Sequence, residues 1–106
     1  MSETASAGTE RATLDSDGDG RARLFDGEPK TVQLTLDAGE SIPAHEHPGR
    51  DIVFFLRSGA VDLTLGDETL SLAPGDVVRF DGDQDISPAA TADSEALLVL
   101  AASASE

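Results

Sequence analysis

Cysteine is absent from this chain, so it can hold no disulfide, no thiolate nucleophile and no thiolate metal site. Tyrosine is absent too, and no glycine-rich loop ends in a lysine that would cradle phosphate. Ser41 and Ser58 sit in no nucleophile context, which removes a Ser/His/Asp triad. Positive charge is scarce: 7 Lys and Arg in 106 residues, with Lys30 the single lysine. No basic patch is available to neutralise phosphates, so nucleic acid is excluded as a partner. No apolar run approaches the ~20 residues of a membrane span. The opening "MSETASAGTE" lacks the positive and apolar regions of a signal peptide. These absences predict a cytoplasmic protein with no membrane partner.

What the chain has in excess is acid. Asp and Glu total 21, for a formal net charge of -14. Self-repulsion of this size weakens a compact state in dilute buffer and is tolerated where salt screens it. An acid-rich, lysine-poor, alanine-rich composition resembles that of cytosolic proteins from extreme halophiles. The length allows one domain with a single core. Residues 1–20 are poor in apolar side chains and read as a flexible acidic arm, and residues 102–106 as a flexible tail.

Between these ends, apolar and polar residues alternate with period two. The segments are Arg21–Phe25, Thr31–Leu36, Ala60–Leu65, Thr69–Leu72 and Asp76–Phe80. Turn dipeptides separate them, among them Asp26-Gly27, Pro48-Gly49, Ser58-Gly59 and Pro74-Gly75. Glu95–Ala101 is a continuous apolar run of strand length. The pattern predicts an all-β domain, a small antiparallel barrel or sandwich over residues 21–101, with no long helix. In "DIVFFL" (Asp51–Leu56) both faces are apolar, so Phe54 and Phe55 point to opposite sides. One fills the barrel; the other needs cover from a second sheet, the N-terminal arm or another subunit, and burial in a homodimer is the preferred reading.

Both histidines lie in "PAHEHPGRD" (Pro43–Asp51). Spaced i, i+2 on a strand, His45 and His47 project to one face, where two imidazoles can share an ion. Register decides the third ligand. With Pro48, Gly49 and Arg50 as a three-residue loop, Asp51 shares the face of His47 and completes a two-histidine, one-carboxylate set. With Pro48-Gly49 alone as the loop, Ile52 falls opposite His45 and Asp51 points away.

The stretch "GESIPAHEHPGRDIVFFLRSG" resembles the first motif of the cupin superfamily: Gly39, His45 and His47 fit its spacing and Gly59 closes it. "PGDVVRFDGDQDISPAATADSEALLVL" resembles the second motif, opening at Gly75-Asp76. The resemblance covers Arg21 to about Ala101. It implies a jelly-roll barrel with a ligand site inside, often with one divalent metal (Fe, Zn, Ni or Mn). The family's carboxylate is Glu where this chain has Asp51 or, by the usual count, Ile52. The family's third histidine falls at Ile86, or at Asp85 after a shift of one residue. The resulting expectation is a weakly held metal on His45, His47 and Asp51, with Arg79, Phe54 and Asp85 as ligand contacts. The rival is a metal-free cupin acting as a small-molecule sensor or accessory module.

A second constellation, Asp15, Asp17 and Asp19 with Gly20 and Asp26, echoes a calcium loop but has no flanking helices. A solvated acidic linker is the default there.

Overall fold

The structure, a computed structural model, describes residues 9–14 and 20–103. Eight strands follow one another: β1 Gly20–Arg23, β2 Lys30–Leu36, β3 Arg50–Ser58, β4 Val61–Leu65, β5 Glu68–Leu72, β6 Val77–Asp81, β7 Ile86–Ala90 and β8 Ser94–Ala102. They form two antiparallel sheets, β1-β2-β8-β3-β6 and β5-β4-β7. No helix is present among the described residues, and so none is long and apolar enough to cross a membrane. The architecture is the all-β antiparallel one expected from the alternation, in the jelly-roll form that the cupin resemblance implies. Of the proposed arm, Thr9–Leu14 forms no strand and is largely exposed. The Asp15–Asp19 part of the calcium-loop pattern lies outside the described residues, as do residues 1–8 and 104–106.

The period-two pattern becomes a core because alternate side chains of each strand face the other sheet. Val32, Leu34 and Leu36 of β2 and Ile52, Phe54 and Leu56 of β3 meet Val61, Leu63 and Leu65 of β4. Phe54 is 1% exposed; its loss would cost about 3–5 kcal/mol, the usual range for removing a buried aromatic ring. The continuous run of β8 is explained by its position. It lies between β2 and β3, so its backbone is paired on both edges and its outer face is also half-covered.

β7 is the strand that the alternation missed. Its sequence, "ISPAA", is short, small-residued and contains Pro88. It is held from outside its own segment. β4 pairs along one edge, while Ser41 and His45 bridge to Ala89 and Ile86 on the other. The N–H of Ile42 donates to the Pro88 carbonyl, a bond that proline's missing N–H leaves intact.

Gly59 is required for close packing. Its φ is +92°, and a Cβ there would run into the Ser94 hydroxyl and the Asp93 carbonyl. The Ser94 hydroxyl in turn accepts from the Ala60 N–H at 3.0 Å, which closes the β3–β4 corner.

Candidate functional site

The two histidines are set by backbone contacts from two directions. The His45 N–H donates to the Ile86 carbonyl at 3.2 Å, and the Ile86 N–H donates back to the His45 carbonyl at 2.8 Å. Two residues on, the His47 N–H donates to the Gly82 carbonyl at 2.8 Å. Gly82 must be glycine for this, because a Cβ would strike the His47 carbonyl oxygen. The chain then reverses over Pro48-Gly49, with Gly49 at φ +76° and the Arg50 N–H donating to the His47 carbonyl at 3.2 Å. This is a two-residue turn with proline at the second position and a positive-φ glycine at the third.

That turn decides the register. β3 begins at Arg50, Ile52 is 1% exposed in the interior, and Asp51 is exposed on the outer face opposite Asp81 and Ala101. The expectation that Asp51 completes a metal set is therefore corrected: the carboxylate lies on the other side of the sheet. Two further expectations are corrected in the same way. Arg79 is exposed and faces outward beside Val53. Asp85 is exposed, and it contributes to the fold through its carbonyl, which accepts from the Gly66 N–H at 2.9 Å. Ile86, at the position where the family has its third histidine, is a buried core residue.

The histidines themselves are brought together. Their Nε2 atoms stand 2.9 Å apart and the rings meet edge to face at 78°. His45 Nδ1 lies 3.0 Å from the Pro43 carbonyl, an acceptor, so Nδ1 carries the proton and Nε2 keeps its lone pair. A backbone carbonyl fixing the far nitrogen in this way is the usual support of a metal-binding imidazole. Two ligands at right angles on an ion with bonds of about 2.1 Å stand about 3 Å apart. The donor pair thus fits a divalent metal as two adjacent ligands. Among the described residues no group of three His, Asp or Glu side chains comes together, so water or a ligand would have to complete the sphere.

The pair opens onto a cavity of about 40 Å³ inside the barrel. Phe54, Leu34, Ile52 and Ile86 are among its walls. Arg21 and Lys30 line it as well. Neither was picked out from the sequence, although the alternation Lys30-Val32-Leu34 already puts Lys30 on the core face of β2. Arg21 reaches that face because it pairs with Leu34 across the β1–β2 ladder. The pKa of His47 is held below its ordinary value of 6.5, first by burial, then by the coulombic effect of the adjoining His45 ring and by the positive charges of Lys30, Arg21 and Arg50. A cluster of positive charge therefore surrounds the histidines of a strongly acidic protein.

Residues 32–102 match the family model described as a cupin domain. A comparison with curated proteins finds no match. Solved structures share the architecture. A cupin family protein with a double-stranded β-helix fold from Methanocaldococcus jannaschii superposes with a TM-score of 0.76 at 17% identity, over 92% of this chain and 94% of that one. A predicted oxalate decarboxylase from Thermotoga maritima does so with a TM-score of 0.70 at 21% identity, over 78% and 79%. KdgF from a Halomonas species gives the same four values. At such identities the likeness is one of fold.

Proposed function

The chain belongs to the cupin family, and on that premise we propose that it is a cytoplasmic protein that binds a small molecule inside the barrel, beside a divalent metal held by His45 and His47. One observation carries the reading: two imidazole Nε2 atoms 2.9 Å apart, one fixed by a backbone carbonyl, at an apolar cavity. A bound metal would supply a Lewis acid next to the cavity. The protein's own part is to orient the two rings, through the Ile86 and Gly82 backbone contacts, and to keep His47 neutral and able to donate its lone pair. The apolar walls keep water from the ligand's non-polar part. The test is the metal content of protein prepared without a histidine tag in high salt, together with the shift of its unfolding midpoint on adding Zn, Ni, Mn or Fe(II). No metal and no shift would refute the metal.

A second reading has its own support. Ile52 and Ile86 stand where the family has its remaining ligands, and both are buried side chains of the core. A metal-free sensor or accessory module is the function that such a site leaves, with the His47 Nε2–H donating to His45.

We also propose that the protein works as a homodimer. Phe55 points out of the barrel, with Leu97 and Val77 as its cross-strand neighbours. Val77 is 61% exposed, and Val53 and Val99 extend the apolar stripe on the same face. A second copy of this face offers matching cover.

A further inference from the structure

The cavity beside the histidines has an unusual balance of charge for this protein. The chain carries three acidic side chains for every basic one, 21 against 7. Yet among the described residues the cavity is lined by two basic side chains, Arg21 and Lys30, and by no Asp or Glu. The two come from different strands, β1 and β2, and both line this one cavity, Arg21 across from Leu34 and Lys30 across from Leu100. Neither takes part in an ion pair among the described residues, where the pairs are Arg50 with Glu28 and Arg57 with Glu95. Glu28 feels the charge of Lys30, but its two carboxylate oxygens are taken up by Arg50. Beyond the cations the walls are aliphatic and aromatic, with Leu34, Phe54 and Leu100 among them.

We infer that the cavity takes a small monocarboxylate with a short aliphatic tail, its carboxylate between Arg21 and Lys30 and its tail against the core wall. This deepens the small-molecule reading above and rests on it. A planar guanidinium and an ammonium lining one cavity can satisfy a carboxylate's two oxygens, the guanidinium in two-pronged fashion. The apolar walls reward a tail and penalise a second charge, which would be buried without a partner. The volume sets the size: about 40 Å³ compares with the roughly 10–15 Å³ that a single water needs on the same measure, so the tail is limited to a few carbons. Phosphate is the poorer fit. Anion sites for phosphate draw on clustered backbone N–H groups or a helix N-terminus, and the described residues form no helix.

The test is direct titration of the full chain with butyrate at constant high salt, by calorimetry or ligand-observed NMR, in two preparations: stripped with EDTA and loaded with a divalent metal. Butanol, butylamine and inorganic phosphate are the comparison probes. Butyrate should bind the stripped protein, butanol and butylamine should bind at least about tenfold more weakly, and phosphate should bind more weakly than butyrate. The double variant Arg21→Gln, Lys30→Gln should lose about tenfold or more in butyrate affinity in both preparations, and Arg21→Lys should recover part of what Arg21→Gln loses. Circular dichroism of each variant checks that it is folded; Arg21 lies on the exposed edge strand, where glutamine is tolerated. Metal analysis is read separately, so a protein without metal that still binds butyrate through Arg21 and Lys30 sinks the metal reading and supports this one. The inference is overturned if butyrate binds neither preparation, if the double variant binds it as well as the parent, if butanol matches it, or if phosphate binds more tightly.

Discussion

His45 and His47 face each other through their Nε2 atoms at 2.9 Å, while Asp51, four residues further on than His47, lies exposed on the opposite side of the sheet. The two-residue turn between them separates imidazoles from carboxylate, and this sets the first prediction. His47→Ala should lower divalent metal affinity by more than about a hundredfold, since losing even a supporting contact of a metal ligand costs 10–100-fold. Asp51→Asn should leave metal affinity unchanged. It should raise the unfolding midpoint in low salt, because Asp51 lies directly across from Asp81 and like charges in that position repel. Isothermal titration with Zn or Ni, beside thermal melts, reads both; a metal affinity that falls with Asp51→Asn would show the register to be wrong.

Phe55→Asp should produce monomers in gel filtration at high salt. Its ring and the side chains of its neighbours Leu97 and Val77 face outward on the five-stranded sheet, so a charge there would be buried unpaired in a dimer. Phe54→Asp is the contrasting variant: Phe54 lies in the core, and that protein should fail to fold. A parent protein that already runs as a monomer would dispose of the dimer.

Salt should stabilise the fold. At a net charge of -14 the carboxylates repel one another, and raising ionic strength from about 0.1 M to about 1 M shortens the screening length from about 10 Å to about 3 Å. Each kcal/mol recovered would raise the midpoint by about 4–8 °C for a domain of this size. Melts in KCl should climb accordingly; a flat series would remove the case for a salt-adapted protein.

Glu28 and Arg50 predict a small pH effect. The hydrogen bond from Arg50 holds the Glu28 carboxyl below its ordinary value of 4.5. A folded-state value below the unfolded one means that the unfolded chain binds the proton more readily. The stabilisation is thus complete above about pH 4.5 and is lost as pH falls through the lower, folded value. The midpoint difference between the parent and Glu28→Gln should be constant at neutral pH and close as the pH drops below 4.5. A difference that widens on acidification would contradict the pairing.

Much of this molecule is written locally. Period-two alternation is a property of five or six neighbouring residues, and it placed five of the strands within a few residues of where they stand. It required Phe54 and Phe55 to face opposite ways, and the i, i+2 spacing required His45 and His47 to share a face. β7 was illegible by the same token: "ISPAA" has little pattern of its own and exists as a strand because β4 and the segment around Ser41 and His45 pair with it. Tertiary structure alone decided the rest. Whether Asp51 or Ile52 faced the histidines turned on one residue of register, which the Gly82 contact and the turn at Pro48-Gly49 settled over a long sequence separation. Arg21 came to the cavity beside His47 through the β1–β2 ladder and Lys30 through the β2–β8 ladder, while the pleat of β6 turned Arg79 outward and Asp85 stayed exposed just before β7. The physical reason is common to all of these. Alternation says which residues share a face, but which face is the interior, and which strands meet there, is set by pairing between distant segments.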